Sequence, residues 1–221
     1  ELASEYNCMY SHAGGSFTAI KAIDNFNIRN NDALWEPNFF WREPRSYAPH
    51  NLFTSAELLE KALFHWAKED PPSYISWNFA DTVEQRAIDA IGLNVTIHFG
   101  GSSDVAYRYQ ANKHYYERWN GGVLQTDAVN GEVLSARNVV IQKVGEGQYL
   151  PEKGRVNWPV TGEGEAIVYR DGVRTHGRWQ KADRTSRTMF VDNDGNPIMF
   201  VRGNTWIDIV PPHIAITFDE K

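Results

Sequence analysis

The chain has little of several residue types and patterns, and each shortage excludes a class of protein. Its 221 residues include one cysteine, Cys8, so an intramolecular disulfide framework is excluded. The formal net charge is −6 and the sequence pI is about 5.6, which does not support a basic nucleic-acid-binding surface. No apolar run approaches the roughly 18 residues that a membrane-spanning helix needs.

The sequence motifs of common enzyme classes are also missing. There is no His-Glu-x-x-His and no histidine pair with zinc-ligand spacing, so we expect no dedicated metal site, and nothing implies a cofactor. There is no Gly-x-Ser-x-Gly elbow and no Walker loop. The sequence therefore leaves open whether the protein is an enzyme.

The chain does have enough apolar and aromatic residues to form a packed core. It is 42% hydrophobic and 13% aromatic, with eight tryptophans. Helical patterns lie before about residue 95, and short strands with tight turns follow. These patterns predict an α+β fold with an N-terminal α/β domain over residues 1–92 and a β-rich, mostly antiparallel C-terminal domain over residues 93–221.

Local signals predict particular elements. The segment YNCMYS reads as a short buried strand, with Cys8 an inert buried thiol rather than a nucleophile. Ser16 is expected to cap a helix over residues 17–24. A second helix is expected over residues 54–69, with Thr54 and Glu57 as its capping box. Type I′ or related turns are predicted at the pairs Asn120-Gly121, Asn130-Gly131, Asp171-Gly172 and Asp194-Gly195.

Several longer motifs, in this order, resemble the YerB-like family of bacterial lipoproteins, whose function is unknown. They are HAGGS at residues 12–16, FWREPRSYAPHNLFTS at 40–55, YYERWNGG with TDAVNGEVLSARNVVIQ within 115–142, GEGEAIVYRDGVRTHGRWQK at 162–181, and DNDGNPIMFVRGNTWIDIVP at 192–211. The chain departs from the family at Gln125, where the resemblance implies a histidine two residues before Asp127.

The resemblance implies a location and an architecture. It implies an N-terminal α/β domain without its first portion, which would precede Glu1, joined to a β-rich C-terminal domain. It also implies an extracytoplasmic protein of the bacterial cell envelope, held to the membrane only by a lipidated cysteine upstream of this chain. Cys8 is not expected to be that cysteine, because no apolar segment precedes it.

The first candidate site is the glycine corner, residues 12–16. Gly14 and Gly15 before a helix would leave backbone N–H groups exposed where the helix dipole favours an anion. His12 and Ser16 could add donors. The alternative is an ordinary tight turn in which the glycines only permit positive φ.

The second candidate site is the basic loop, residues 41–51, which contains two prolines and gathers four polar residues within ten positions: Arg42, Arg45, His50 and Asn51. Arginine and histidine on a stiff loop suit the recognition of phosphate or carboxylate. Pairing of the arginines with nearby glutamates is the alternative. Arg118 and Asp127, around a predicted hairpin, are a third candidate, with a turn cap as the alternative for Asp127.

Two functions fit these features. The first is a module that binds an anionic envelope polymer or a partner protein. The second is an envelope hydrolase or transferase acting on a phosphodiester, ester or glycan, in which Arg42 and Arg45 hold an anion while His12 or His50 transfers protons. One hydrogen-bonded network of His12, Arg42, His50 and Arg118 would favour the enzyme, and separation of these side chains would favour the binding module.

Overall fold

A computed structural model describes residues 2–66, 74–81, 90–91, 93–150 and 154–219. The internal contacts divide the chain into two compact units. The N-terminal unit comprises Glu1–Ile75 and Arg184–Ser186, and the C-terminal unit comprises Ser76–Asp183 and Arg187–Lys221. The internal contacts thus divide the chain before Ser76, and the domain boundary that the sequence predicts between residues 92 and 93 stays a prediction.

Among the residues that the structure describes, the N-terminal unit contains two helices and two pairs of short strands. The elements are β1 Tyr10–His12, α1 Phe17–Asn25, β2 Asn30–Asp32, β3 Trp41–Arg42, β4 Leu52–Phe53 and α2 Ala56–Trp66. β1 and β2 are parallel neighbours that α1 connects, and β3 pairs antiparallel with β4. Two short strands are too small a sheet to establish the class, so the predicted α/β domain stays a prediction.

The helix starts follow from their capping residues. Ser16 adopts extended backbone and its Oγ accepts the Ala19 N–H at 3.0 Å, which confirms the predicted cap of α1. The cap of α2 is Ser55, whose Oγ accepts the Leu58 N–H at 3.2 Å. The predicted capping box was wrong by one residue, because the Thr54 hydroxyl instead donates to the Phe39 carbonyl oxygen at 2.7 Å. The predicted end of this helix, residues 67–69, lies outside the described residues.

The prediction that Cys8 is a buried thiol was wrong. A short 3₁₀ turn, Ala3–Tyr6, ends at Asn7 in the left-handed conformation, and β1 begins only at Tyr10. Cys8 therefore lies in the connection between them, where its side chain is exposed. No described helix is both long and apolar enough to cross a membrane.

The C-terminal unit is β-rich and mostly antiparallel, as predicted. Its strands are β5 Phe79–Ala80, β6 Ala90–Ile91, β7 Asn94–His98, β8 Val105–Gln110, β9 Tyr115–Asn120, β10 Val123–Leu124, β11 Ser135–Ala136, β12 Asn138–Lys143, β13 Gln148–Tyr149, β14 Val156–Asn157, β15 Gly162–Arg170, β16 Val173–Lys181, β17 Met189–Asp192, β18 Phe200–Val201, β19 Thr205–Val210 and β20 Ala215–Asp219.

Most of these strands form two sheets. The first sheet has the order β10-β9-β8-β7-β20, with β11 also paired to β9. The second has the order β17-β16-β15-β12-β19, with β6 also paired to β16. Side chains of both sheets form one buried cluster, so the sheets pack face to face.

The second sheet is buried on both faces. Val139 and Ile141 of β12 belong to the cluster shared with the first sheet, whereas Val140, between them, belongs to a cluster on the opposite face. This explains why β12 reads as an unbroken apolar run rather than an alternating one. Trp77 packs in the outer cluster and stacks on Phe200 with ring centroids 4.7 Å apart, which accounts for the grouping of residues 76–81 with this unit.

The tight turns lie where the sequence predicts them, but their exact residues can differ from the prediction by one position. At Asp171-Gly172 both residues have positive φ and Arg170 pairs with Val173, as a type I′ hairpin requires. Between β9 and β10 the two positive-φ residues are Gly121 and Gly122, so the predicted Asn120-Gly121 turn was one residue too early.

Gly164 in β15 should be required for the packing of Trp179. A Cβ at this position would lie 2.6 Å from Trp179 Nε1 and 2.7 Å from the Lys143 carbonyl oxygen, which that indole N–H binds. We expect Gly164→Ala to lower the free energy of unfolding by about 1–3 kcal/mol in urea denaturation. Gly145→Ala is the control, because the nearest atom to its Cβ would be Pro159 Cγ at 3.5 Å. Equal stabilities of the two variants would contradict this account.

Candidate functional site

Asp32 holds the glycine corner in place. Its Oδ1 accepts the Gly14 N–H at 2.8 Å and the Leu34 N–H at 3.0 Å. Gly14 has φ +65, so the turn needs the left-handed conformation that glycine adopts easily. The adjacent Gly15 is also closely packed, since a Cβ there would lie 3.2 Å from Ile20 Cδ1. The sequence did not identify Asp32 as part of this corner.

His12 is an internal part of the corner. Its side chain is only 7% exposed, with Nδ1 3.0 Å from the Gly14 carbonyl oxygen and Nε2 3.1 Å from Asn30 Oδ1. Asp32 Oδ2 lies 3.9 Å from Nδ1, and the Tyr10 ring stacks on the imidazole with centroids 4.9 Å apart. Both ring nitrogens are thus engaged, so a substrate would have to displace one of these contacts to reach the imidazole.

The basic loop is held together by Asn51. This residue is 8% exposed, its Nδ2 donates to the carbonyl oxygens of Glu43 and Ser46, and its Oδ1 accepts Arg42 Nη1 at 2.7 Å. Arg42 and Asn51 therefore bind each other. Arg45 has a 93% exposed side chain, with Nε 4.0 Å from Glu43.

The glycine corner and the basic loop are not joined by polar contacts. Arg42, Arg45 and His50 are exposed, so of the predicted loop residues only Asn51 is buried. Among the residues that the structure describes, no hydrogen bond or ion pair connects His12, Gly14 or Ser16 with the basic loop. The predicted proton-transfer pair of His12 and His50 is therefore not brought together by hydrogen bonds.

Arg118 and Asp127 lie in the C-terminal unit. Asp127 Oδ1 accepts the N–H groups of Val129 at 2.8 Å and Asn130 at 3.1 Å, so the carboxylate caps its own turn. Arg118 lies over the Trp206 ring, 4.5 Å from its centroid, and donates to Gln125 Oε1. Gln125, which stands where the family resemblance implies a histidine, thus binds Arg118.

Beside Arg118 is a buried carboxyl group that the sequence did not indicate. Asp208 of β19 is 8% exposed, and burial raises its pKa to about 6 despite the opposing effects of the Tyr107 hydroxyl and the Arg118 charge. Its Oδ2 has no hydrogen-bond partner among the described residues. Protonation of this carboxyl group is therefore linked to the stability of the C-terminal unit.

A cleft of about 640 Å³ opens in the N-terminal unit beside β2. Asn30 and Asp32, the partners of His12 and Gly14, line it together with residues distant in sequence. The lining also contains Ser4, Asn7, Cys8, Phe26, Asn27, Ile28, Arg29, Trp35, Glu36, Arg184 and Thr185. Sequence spacing could not have found this set, because Arg184 is separated from Ser4, its hydrogen-bond partner at 2.7 Å, by 180 residues.

Two histidines that the sequence shows as isolated have carboxylate partners in the C-terminal unit. His114 Nδ1 lies 2.6 Å from Asp171 Oδ1, which also accepts the Tyr109 hydroxyl at 2.9 Å. His98 Nδ1 lies 3.3 Å from Asp104 Oδ2. Within the described ranges, no group of three or more His, Cys, Asp or Glu side chains is arranged to hold a metal ion.

Comparison with known protein families assigns both parts of the chain. Residues 1–67 match the N-terminal domain, and residues 95–207 the C-terminal domain, of a family described as protein of unknown function (DUF3048). The chain belongs to this family. Membership agrees with the resemblance to YerB-like proteins that the motifs indicated.

Over most of the length of this DUF3048 chain, the sequence is similar to that of a curated protein. It is 25% identical over 218 residues to the Bacillus subtilis (strain 168) protein named "Putative lipoprotein YerB", covering 95% of this chain and 63% of that protein. The crystal structure of YerB from Bacillus subtilis has the same fold, with a TM-score of 0.82 at 23% identity, covering 98% of this chain and 72% of the other.

Replacing Asn51 should destabilise the basic loop of this DUF3048 domain relative to the wild type. Asn51→Ala leaves Arg42 and two backbone carbonyl groups without their partner, which should cost about 1–3 kcal/mol. Arg45→Ala, at a solvent-exposed position, should change the stability by less than about 0.5 kcal/mol. Thermal denaturation of both variants measures the difference, and an Asn51→Ala protein as stable as the wild type would show that the amide does not hold the loop.

Asp208 should make the C-terminal unit less stable as the pH rises. Its folded pKa of about 6 exceeds the ordinary aspartate value of 3.8, so the folded state binds the proton more tightly than the unfolded state. The stabilisation is fully present below about pH 4 and is lost as the pH rises through 6, amounting to about 3 kcal/mol.

Asp208→Asn should remove this dependence. The variant should match the wild type near pH 4 and be the more stable protein at pH 8, as measured by urea unfolding across that range. Asp194→Asn, in an exposed turn, should keep the pH dependence of the wild type. Parallel stability curves for wild type and Asp208→Asn would rule out this carboxyl group as the cause.

Proposed function

We propose that the chain is an extracytoplasmic, lipoprotein-type module that binds an anionic polymer of the bacterial envelope through the cleft of the N-terminal unit. The DUF3048 family has no known function, and the lipoprotein name belongs to the B. subtilis relative, of which the chain spans 63% of the length. Tethering by a lipid upstream of these residues is part of the proposal. The observation that carries it is the lining of the 640 Å³ cleft.

The cleft combines the two kinds of group that bind sugar-based polymers. Trp35 is 81% exposed at its rim, and Phe26 is also exposed, so each presents an apolar ring face on which a sugar ring can stack. Asn7 and Asn27 add side-chain amides, which can both donate to and accept from hydroxyl groups. A mostly polar site with a few aromatic surfaces suits a hydroxyl-rich ligand.

Arg184 supplies a fixed positive charge. Its guanidinium lies 4.6 Å from the Phe26 ring centroid and donates to Ser4 Oγ at 2.7 Å, so two contacts hold its orientation. The charge of Asp32, which also lines the cleft, is directed into the protein by the Gly14 and Leu34 N–H groups. A held guanidinium with further donors suits a phosphate or carboxylate group on the polymer.

The arrangement of the predicted residues supports a binding module rather than the hydrolase. His12 has both ring nitrogens engaged inside the glycine corner, and Arg42 is bound to Asn51. No polar contact among the described residues connects these two groups. The proton-transfer and anion-holding roles of the enzyme alternative therefore lack a common site.

The proposal is tested by co-sedimentation with purified bacterial cell-wall sacculi. Binding should be strong with sacculi that carry their anionic wall polymer and weak after that polymer is stripped. Trp35→Ala and Arg184→Gln should each weaken binding by about tenfold or more, equivalent to about 1.4 kcal/mol. Loss of the stacking surface causes the first effect, and loss of the charge causes the second.

Two matched variants serve as controls for this binding experiment. Tyr47→Ala removes a 94% exposed aromatic side chain of the same unit that does not line the cleft. Arg178→Gln removes an exposed arginine of the C-terminal unit that pairs with Glu163. Both should bind like the wild type. Equal binding by all four variants would refute the cleft as the binding site.

A further inference from the structure

Three side chains on the outer face of the first sheet are hydrogen-bonded in series. His98, at the end of β7, has its Nε2 2.8 Å from the Thr217 hydroxyl oxygen on β20. Its other ring nitrogen, Nδ1, lies 3.3 Å from Asp104 Oδ2, just before β8. The order of groups is hydroxyl, imidazole and carboxylate, as in enzymes that activate a hydroxyl nucleophile.

The chemistry of the carboxylate sets the direction of these hydrogen bonds. Asp104 Oδ1 accepts the Gly100 N–H at 2.7 Å, and this bond lowers the pKa of the carboxyl group, so Asp104 is ionised at neutral pH. An ionised carboxylate can only accept, so the proton on neutral His98 is at Nδ1. Nε2 is then an acceptor, and the Thr217 hydroxyl must donate to it. This is the arrangement that a general base needs.

The three groups are accessible to a substrate. The side chains of His98 and Asp104 are 39% and 31% exposed, and Thr217 is exposed on β20, an edge strand of the sheet. A cavity of about 420 Å³ adjoins Thr217. Opposite Thr217 in register is Thr96, and next to Thr96 is Ala106, whose small side chain leaves room on the face of the sheet.

Arg108 supplies a positive charge within the same cavity. It lies on β8, two strands from Thr217, which corresponds to about 10 Å between the backbones. Its guanidinium lies 4.0 Å from the Trp119 ring centroid, a contact that holds the group in place. Because Trp119 lies on β9, this contact directs the guanidinium away from β20, so Arg108 contributes positive charge at the far side of the cavity rather than a hydrogen bond to a carbonyl group at Thr217.

We propose that Thr217, His98 and Asp104 form a hydrolytic site for esters of short-chain carboxylic acids. The Thr217 oxygen bonds to the acyl carbon while its proton passes to His98 Nε2, and the carbonyl electron pair moves to the oxygen. When the carbonyl re-forms, the ester C–O bond breaks and the alcohol leaves with the proton from His98. Water then attacks the acyl-threonine in the same way, which releases the acid and restores the Thr217 hydroxyl.

This activity is separate from polymer binding by the N-terminal unit. All of its residues lie in the C-terminal unit, and none lines the proposed binding cleft. Thr217 also lies beyond residues 95–207, the part that matches the C-terminal domain of the family. The hydrolytic site and the binding cleft share no residue, so each can be tested independently of the other.

The experiment uses p-nitrophenyl acetate and the 221-residue chain. The wild type should hydrolyse this ester faster than buffer, and intact-mass analysis should show one added acetyl group, which peptide mapping locates at Thr217. Thr217→Val keeps the shape of the side chain without the hydroxyl, and His98→Gln removes the base. Each should lower the background-corrected rate by about 100-fold or more.

Further variants separate catalysis from folding and from unspecific imidazole chemistry. Thr217→Ser keeps the nucleophile and should retain activity. His213→Gln removes an exposed imidazole outside the site and should leave the rate unchanged. Asp104→Asn, at a positioning residue, should lower kcat with little change in KM, because the tautomer of His98 is no longer fixed. A wild-type rate equal to buffer, equal rates in all variants, or an acetyl group at another residue would each overturn the proposal.

Discussion

The C-terminal unit depends on one buried polar side chain, which hydrogen-bonds backbone groups beside a sheet that is buried on both faces. Asn138, fully buried at the start of β12, donates from Nδ2 to the Val201 carbonyl oxygen and accepts the Val201 N–H at Oδ1, both at 2.8 Å. Its amide thus substitutes for a neighbouring peptide group. Without it, two backbone groups next to β12 would be buried without partners, at a cost of about 1–3 kcal/mol each.

Burial of β12 on both faces has consequences for where function can lie. Its side chains serve two apolar clusters, so the second sheet has little surface on which a ligand could bind. The first sheet contributes one face to the shared core and keeps the other in solvent. That outer face carries His98, Thr217 and Arg108 on strands that the core holds in place. Rigid strands below an exposed polar row are a suitable base for a catalytic arrangement.

In the N-terminal unit, polar contacts are more prominent than buried apolar side chains. Of its described side chains, few apolar ones are buried, and several aromatic ones, including Trp35, are exposed. Its polar contacts are instead concentrated at turns, where Asp32 and Asn51 each bind several backbone groups. The residues that the sequence presented as ligand donors are therefore partly structural. The cleft beside β2 is lined mainly by residues that no motif indicated.

Local signals predicted the elements well where one interaction decides them. Ser16 caps α1, the Asp171-Gly172 turn has the required positive φ values, and the strands after residue 93 are mostly antiparallel. Register was less predictable. Two neighbouring hydroxyl residues, Thr54 and Ser55, both suit a helix cap, and the choice between them depends on the Phe39 carbonyl group that binds Thr54.

The sequence by itself determined the family, the two-part organisation and the β-rich character of the second part, because these follow from motif order and from the alternation of apolar residues along the chain. Only the tertiary structure decided which polar side chains meet. Arg184 reaches Ser4, and His98 reaches Thr217 across 119 positions. Such contacts depend on strand pairing and loop placement over long sequence distances, and no local spacing records them.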